Sequence, residues 1–170
     1  MKNLKNSSFS IVSAGAVACA VAITVVSADQ ASRRSGPATV PVEVSLKVGQ
    51  AKYDAKAQGT CTHAPRASIY DIASQQWMAR HEEDGRAVQL TLWKPANGSA
   101  EMFSLSVTGK SDVNISTVRG GQMSGSGTVK LQPSGKGGTF TIDAKGKAGE
   151  PIVGTFKCDA FTAAIAEGGD

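Results

Sequence analysis

Apolar residues at every second position constrain this chain more than any other feature. In residues 42–48, Val42, Val44, Leu46 and Val48 alternate with Glu43, Ser45 and Lys47. A helix gathers residues three and four apart onto one face, while a strand sends neighbours to opposite faces. The alternation therefore fits a half-buried strand. Gly49-Gln50 follows as a two-residue turn with glycine first. Folding there sets Val48 opposite Ala51, Leu46 opposite Tyr53 and Val44 opposite Ala55. On the other face Glu43 meets Lys56 and Ser45 meets Asp54, while Lys47 meets Lys52, a mild conflict suited to an exposed edge. Cys61 keeps the phase of Tyr53 and should point inward.

A second hairpin is legible around Asp84-Gly85, a strong signal for a type I′ turn. Centring there pairs His81 with Val88, Ala79 with Leu90 and Trp77 with Leu92. A slip of one residue would invert both faces, so the pattern fixes the register. Weaker strands are predicted at Met102–Val107, Val113–Val118 and Gly127–Leu131, then Thr139–Lys145 and Ile152–Cys158. The segment ASIYDIASQQ (67–76) is the one candidate for a short turn of helix. Eight or nine short strands with Gly-rich turns imply an all-β fold, a single antiparallel β-sandwich, with a small β-barrel as the alternative.

The N-terminus points to export. Lys2 and Lys5 precede an apolar run from Ile11 to Val26, which ends at Val26-Ser27-Ala28. A basic start, an apolar middle and a small-x-small end read as a signal peptide cleaved after residue 28. The run is shorter than the roughly 20 residues of a spanning helix, so no stable transmembrane anchor is expected. Cys19 follows Ala16-Val17-Ala18, without the leucine usual in bacterial lipoprotein signals, and apolar residues continue after it. Lipidation at Cys19 is therefore not expected. Residues 29–41 read as a linker, 42–162 as the β domain and 163–170 as a flexible C-terminal tail. The expected location is secreted or periplasmic, in a bacterium. There the remaining cysteines, Cys61 and Cys158, should form a disulfide.

Charge and motifs exclude more than they assign. Losing Lys2 and Lys5 with the leader takes the formal charge from +4 to +2. With no basic stripe and no interleaved aromatics, nucleic acid is not an expected partner. The densest polar cluster is Arg80-His81-Glu82-Glu83-Asp84, with His63 elsewhere; His81, Glu82 and Asp84 with His63 are its candidate site residues. Without an HxH or HExxH spacing it does not make a metal site, and neither a metal nor a cofactor is expected. No GxSxG elbow exists, and Gly109-Lys110-Ser111 lacks the glycine that a phosphate loop needs five residues earlier. No catalytic residue is assigned. Trp93 falls on the outward face, where it could contact a partner or pack beneath a neighbouring loop. Asn97-Gly98-Ser99 and Asn114-Ile115-Ser116 match glycosylation acceptors and are read as chance.

Gly59-Thr60-Cys61-Thr62 and the terminal Gly154-Thr155-Phe156-Lys157-Cys158 carry a resemblance. In these pieces, and in its layout, the chain resembles the mycobacterial 19-kDa lipoprotein antigen family, which joins an export signal to a Ser/Thr/Gly-rich β domain. The resemblance implies a cell-envelope protein of no known catalytic activity. The expected function is thus a non-enzymatic exported module that binds a protein, glycan or envelope component. One alternative is a small hydrolase or metal-dependent enzyme using His63 and His81 with nearby carboxylates, which requires the two histidines to meet. Another is a carrier of small apolar ligands, which requires an unfilled interior lined by residues such as Ala51, Ala55, Ala57 and Ala79.

Overall fold

The computed structural model describes residues 38–109 and 112–165. The expected signal peptide (residues 1–28, with Cys19), most of the expected linker, residues 110–111 and residues 166–170 lie outside them. The described residues belong to one compact unit. They form ten strands: β1 Thr39–Val48, β2 Ala51–Ile69, β3 Ile72–Glu83, β4 Arg86–Pro95, β5 Met102–Thr108, β6 Val113–Ser116, β7 Ser126–Ser134, β8 Gly137–Lys145, β9 Pro151–Cys158 and β10 Thr162–Ala163. Among the described residues there is no helix, and so none long and apolar enough to cross a membrane.

Both hairpin registers follow the alternation. Leu46 pairs with Tyr53 and Glu43 with Lys56, and His81 pairs with Val88 and Trp77 with Leu92. Three expectations need correction. Residues 67–76 are not helical but form the tip of the β2–β3 hairpin. Tyr70 and Asp71 both take positive φ there, as a type I′ turn requires. The linker ends earlier than residue 41, since β1 starts at Thr39. The tail starts later than residue 163, because the Ala164 N–H donates to the His63 carbonyl at 3.0 Å. Lastly, Lys47 and Lys52 do not mark an edge. Their strands lie inside the sheet, and the two lysines face solvent from its outer surface.

The strands make one sheet in the order β6-β5-β4-β3-β2-β1-β9-β8-β7, with β10 added beside β2. The first strand pairs with the ninth, and the end strand β6 meets the segment leading into β7 where Ser116 and Ser124 exchange backbone hydrogen bonds of 2.8 and 2.9 Å. The sheet is thus a nearly closed barrel, the second of the two architectures that the alternation allowed. The main apolar core draws residues from every strand of the circuit, with Phe140, Phe156 and Ile152 fully buried. Each such side chain contributes roughly 1.5–3 kcal/mol of transfer free energy.

Strand direction explains the one gap. Every neighbouring pair in the circuit is antiparallel, including β1 with β9. Nine strands cannot alternate around a closed ring, so one neighbouring pair must share a direction. That pair is β6 and β7. Parallel neighbours need a crossover of about a dozen residues or more, and only residues 117–125 connect these two. The connection returns along β6, touches it at Ser124, and leaves a seam.

Two devices hold the ring shut opposite the seam. The Cys61–Cys158 disulfide joins β2 to β9, the strands on either side of β1. Within β9, Gly154 adopts φ +148, and a Cβ there would lie 2.0 Å from the Ser45 carbonyl oxygen. Glycine lets β9 bend closely over β1 at this point. In the chain-entropy account a loop of roughly 100 residues gives a disulfide about 4–5 kcal/mol. The Cys61→Ala/Cys158→Ala variant should therefore lose up to about 4 kcal/mol of unfolding free energy. Urea denaturation of the two proteins checks this, and equal midpoints would show that the bond constrains little.

Candidate functional site

The polar residues singled out in the sequence do not converge. His63 lies opposite Trp77, and His81 lies four positions further along β3, about 13 Å away. His63 stacks on the Trp77 ring, with centroids 4.6 Å apart and planes 6° from parallel, and its Nε2 sits 3.3 Å from Gln75 Oε1. Glu82 is exposed and pairs with Arg80. Asp84 is exposed at φ +51, so its role is to form the turn. No group of three His, Cys, Asp or Glu among the described residues could hold a metal ion. The meeting of histidines that an enzyme built on them requires is not formed.

His81 has a different place. It is 1% exposed, and its Nδ1 lies 2.9 Å from the Tyr53 hydroxyl. Its Nε2 has no hydrogen-bond partner, and the nearest carboxylate, Glu83, stands 3.9 Å away. Arg86 covers the Tyr53 ring, with its guanidinium carbon 4.3 Å from the centroid, and its carbonyl accepts from the hydroxyl at 3.4 Å. A general base must reach the proton it takes. This imidazole is sealed in the core, so the pair is structural. Beside it, Val48, Tyr53 and Arg86 border a crevice of 20 Å³, room for about one water. Ala79 is buried in the core and Ala55 packs against it, while Ala51 and Ala57 are half-buried outside it, so the described interior gives an apolar carrier little support.

A wide concavity lies on the outer surface next to the seam. This groove of 810 Å³ has the outward face of β4–β6 as its floor. Alternation places Leu90, Leu105 and Ile115 inward, so Gln89, Ser106 and Asn114 form one outward cross-strand row. Ser104 and Ser116 form the next. The return segment supplies one wall. Ser124 Oγ donates to the Asn114 carbonyl at 3.3 Å, adding to the two Ser116–Ser124 backbone bonds. Gly125 holds φ +71, and a Cβ there would sit 2.4 Å from the Lys145 carbonyl oxygen. Among the described residues Lys147 is the single charged one lining the groove. The lining is therefore rich in hydroxyls and amides, and it lacks both a carboxylate and a histidine.

Sequence reasoning did not find this groove. Its floor residues are ordinary outward positions of strands, and Asn114 drew notice only as a chance acceptor match. The usable signal was negative. Around Ser104, Ser106 and Asn114 the outward face carries no charge, unlike the lysine-bearing outer face of β1 and β2. Trp93 faces outward as its phase requires. It packs half-buried against Ile69, Met102 and Val118, a small second core under the loop after β6, and does not line the groove. Compared with known protein families, curated proteins and solved structures, the chain gives no match.

Burial, opposed by the Arg86 charge and reinforced by Glu83 and Glu82, raises the Tyr53 hydroxyl above its ordinary value. The folded protein then holds this proton at a pH where the unfolded chain has released it. Stability from this group is complete below about pH 10 and is lost as pH rises through the folded value. Tyr53→Phe should flatten that alkaline loss. It should also cost about 1–3 kcal/mol at neutral pH by leaving His81 Nδ1 unpaired. Unfolding curves of both proteins at neutral and alkaline pH check the two effects; identical pH profiles would contradict the first.

Proposed function

We propose that the chain is a non-enzymatic, exported module of the cell envelope or its surroundings, and that the seam groove is its contact surface. The observation that carries this reading is the groove's lining. It is concave and framed by a fixed glycine-containing wall, and it presents many neutral donors and acceptors. Catalysis of acyl, glycosyl or phosphoryl transfer needs a nucleophile or base beside a second polar group tuned to it. Among the described residues the side chains of the groove's serines and Lys147 make no hydrogen bond to one another, and the one buried histidine is out of a ligand's reach. Export is supported by the leader-like N-terminus and by the Cys61–Cys158 bond, which suits an oxidising compartment. An envelope location is further supported by the resemblance to the 19-kDa lipoprotein antigen family.

Retention of the purified protein on isolated envelope material provides the test. Ser106→Arg/Asn114→Arg, which fills the groove with charge, should reduce retention about tenfold. Thr128→Arg, on the outer face of β7, should leave it unchanged. Equal retention of all three proteins would overturn the groove as the contact surface. Release of soluble fragments from the material would overturn the non-enzymatic reading.

A further inference from the structure

We propose that the groove recognises an uncharged polysaccharide; this rests on the binding-module reading and names its ligand class. The floor decides what kind of group can be recognised. Strand β5 lies between β4 and β6, and its backbone groups are consumed in the two ladders. On β5 a ligand therefore meets side chains and not a free backbone edge, and on the end strand β6 the Ser116 backbone groups and the Asn114 carbonyl are already bonded to Ser124. An extended peptide gains most of its affinity by adding a strand to such an edge, so the floor gives it little to hold.

The chemistry of the side chains narrows the class further. Gln89, Ser106 and Asn114 each carry both donors and acceptors. Sugar hydroxyls are also both, so each can pair with them in either sense. Charge excludes the main competitors. A nucleic acid needs several cations for its phosphates, and among the described residues Lys147 is the only one lining the groove. An apolar ligand would strip water from these amides and hydroxyls without replacing their hydrogen bonds, which is unfavourable.

Repetition favours a polymer over a single sugar. Cross-strand neighbours stand about 4.8 Å apart and same-face residues along a strand about 6.7 Å apart. The floor is thus a grid of similar weak contacts, and a chain of similar units can engage several at once. Met123 on the wall is 65% exposed, with no core contact to explain it. Its thioether is a soft apolar surface suited to the face of a sugar ring.

Chemical-shift titration of the ¹⁵N-labelled protein tests the proposal. The probes are linear hexasaccharides of glucose, mannose and galactose, a hexa-uronate, and a set of extended hexapeptides. At least one neutral hexasaccharide should shift the Ser106, Asn114 and Ser124 amides saturably. Gln89→Ala/Asn114→Ala, two exposed positions, should weaken that binding at least about tenfold while the melting temperature is unchanged. If peptides move these amides and sugars do not, the polysaccharide is overturned and the binding module stands. Stronger binding of the hexa-uronate than of every neutral sugar overturns the uncharged class. If no probe moves the groove amides, the proposal and the reading beneath it both fall.

Discussion

The parity of the barrel is the constraint on which the rest of this structure depends. Eight of the nine neighbouring relations around the ring are antiparallel ladders, and an odd ring cannot make the ninth antiparallel as well. The mismatch could have fallen between β1 and β9, which would then have been parallel. It falls instead between β6 and β7, because β1 and β9 are locked antiparallel over seven residue pairs and flanked by the disulfide. Locking one closure displaces the irregularity to the other. The seam, the return segment and the groove beside it are consequences of that displacement.

Glycine is what makes so tight a circuit passable. At Gly154 the sheet must bend where β9 crosses close to β1, and at Gly125 the returning chain must squeeze between Ile115 and the Lys145 carbonyl. Both positions hold positive φ, and neither has room for a Cβ. Both border β8, Gly154 as the partner of Ile142 and Gly125 against the Lys145 carbonyl. One tightens the closed junction and the other shapes the open one, so the conformational freedom of two residues sets both the curvature of the barrel and the form of its groove.

What could be read from the sequence divides along physical lines. Registers of the β1–β2 and β3–β4 hairpins were legible residue by residue, because alternation and turn chemistry act over neighbouring positions. The inward phase of Cys61 and its bond to Cys158 followed from the same local rules plus the expected oxidising compartment. The choice of barrel over sandwich was not legible, since it depends on whether β1 meets β9, a contact between residues more than a hundred positions apart. The tip at Tyr70-Asp71 was missed because two non-glycine residues adopt a conformation usually marked by Asn-Gly or Asp-Gly. The groove was invisible for a related reason. Its lining joins β4 to β6 with the return segment and the β8–β9 turn, and no local pattern links them.

The same division explains why the sequence suggested a cluster at His81 while the structure places its concavity elsewhere. Adjacent residues on a strand point to opposite faces, so a run such as His81-Glu82-Glu83-Asp84 disperses its groups rather than gathering them. His81 turns inward, where only Tyr53 can satisfy it, and Glu82 turns to solvent. Groups that act together in a β-barrel must come from different strands at matching heights, as Gln89, Ser106 and Asn114 do. On such a fold, polar residues close in sequence are poor evidence for a site. Uncharged outward residues in cross-strand register beside an interrupted ladder are better evidence, because the interruption is what lets the chain build a wall above the sheet.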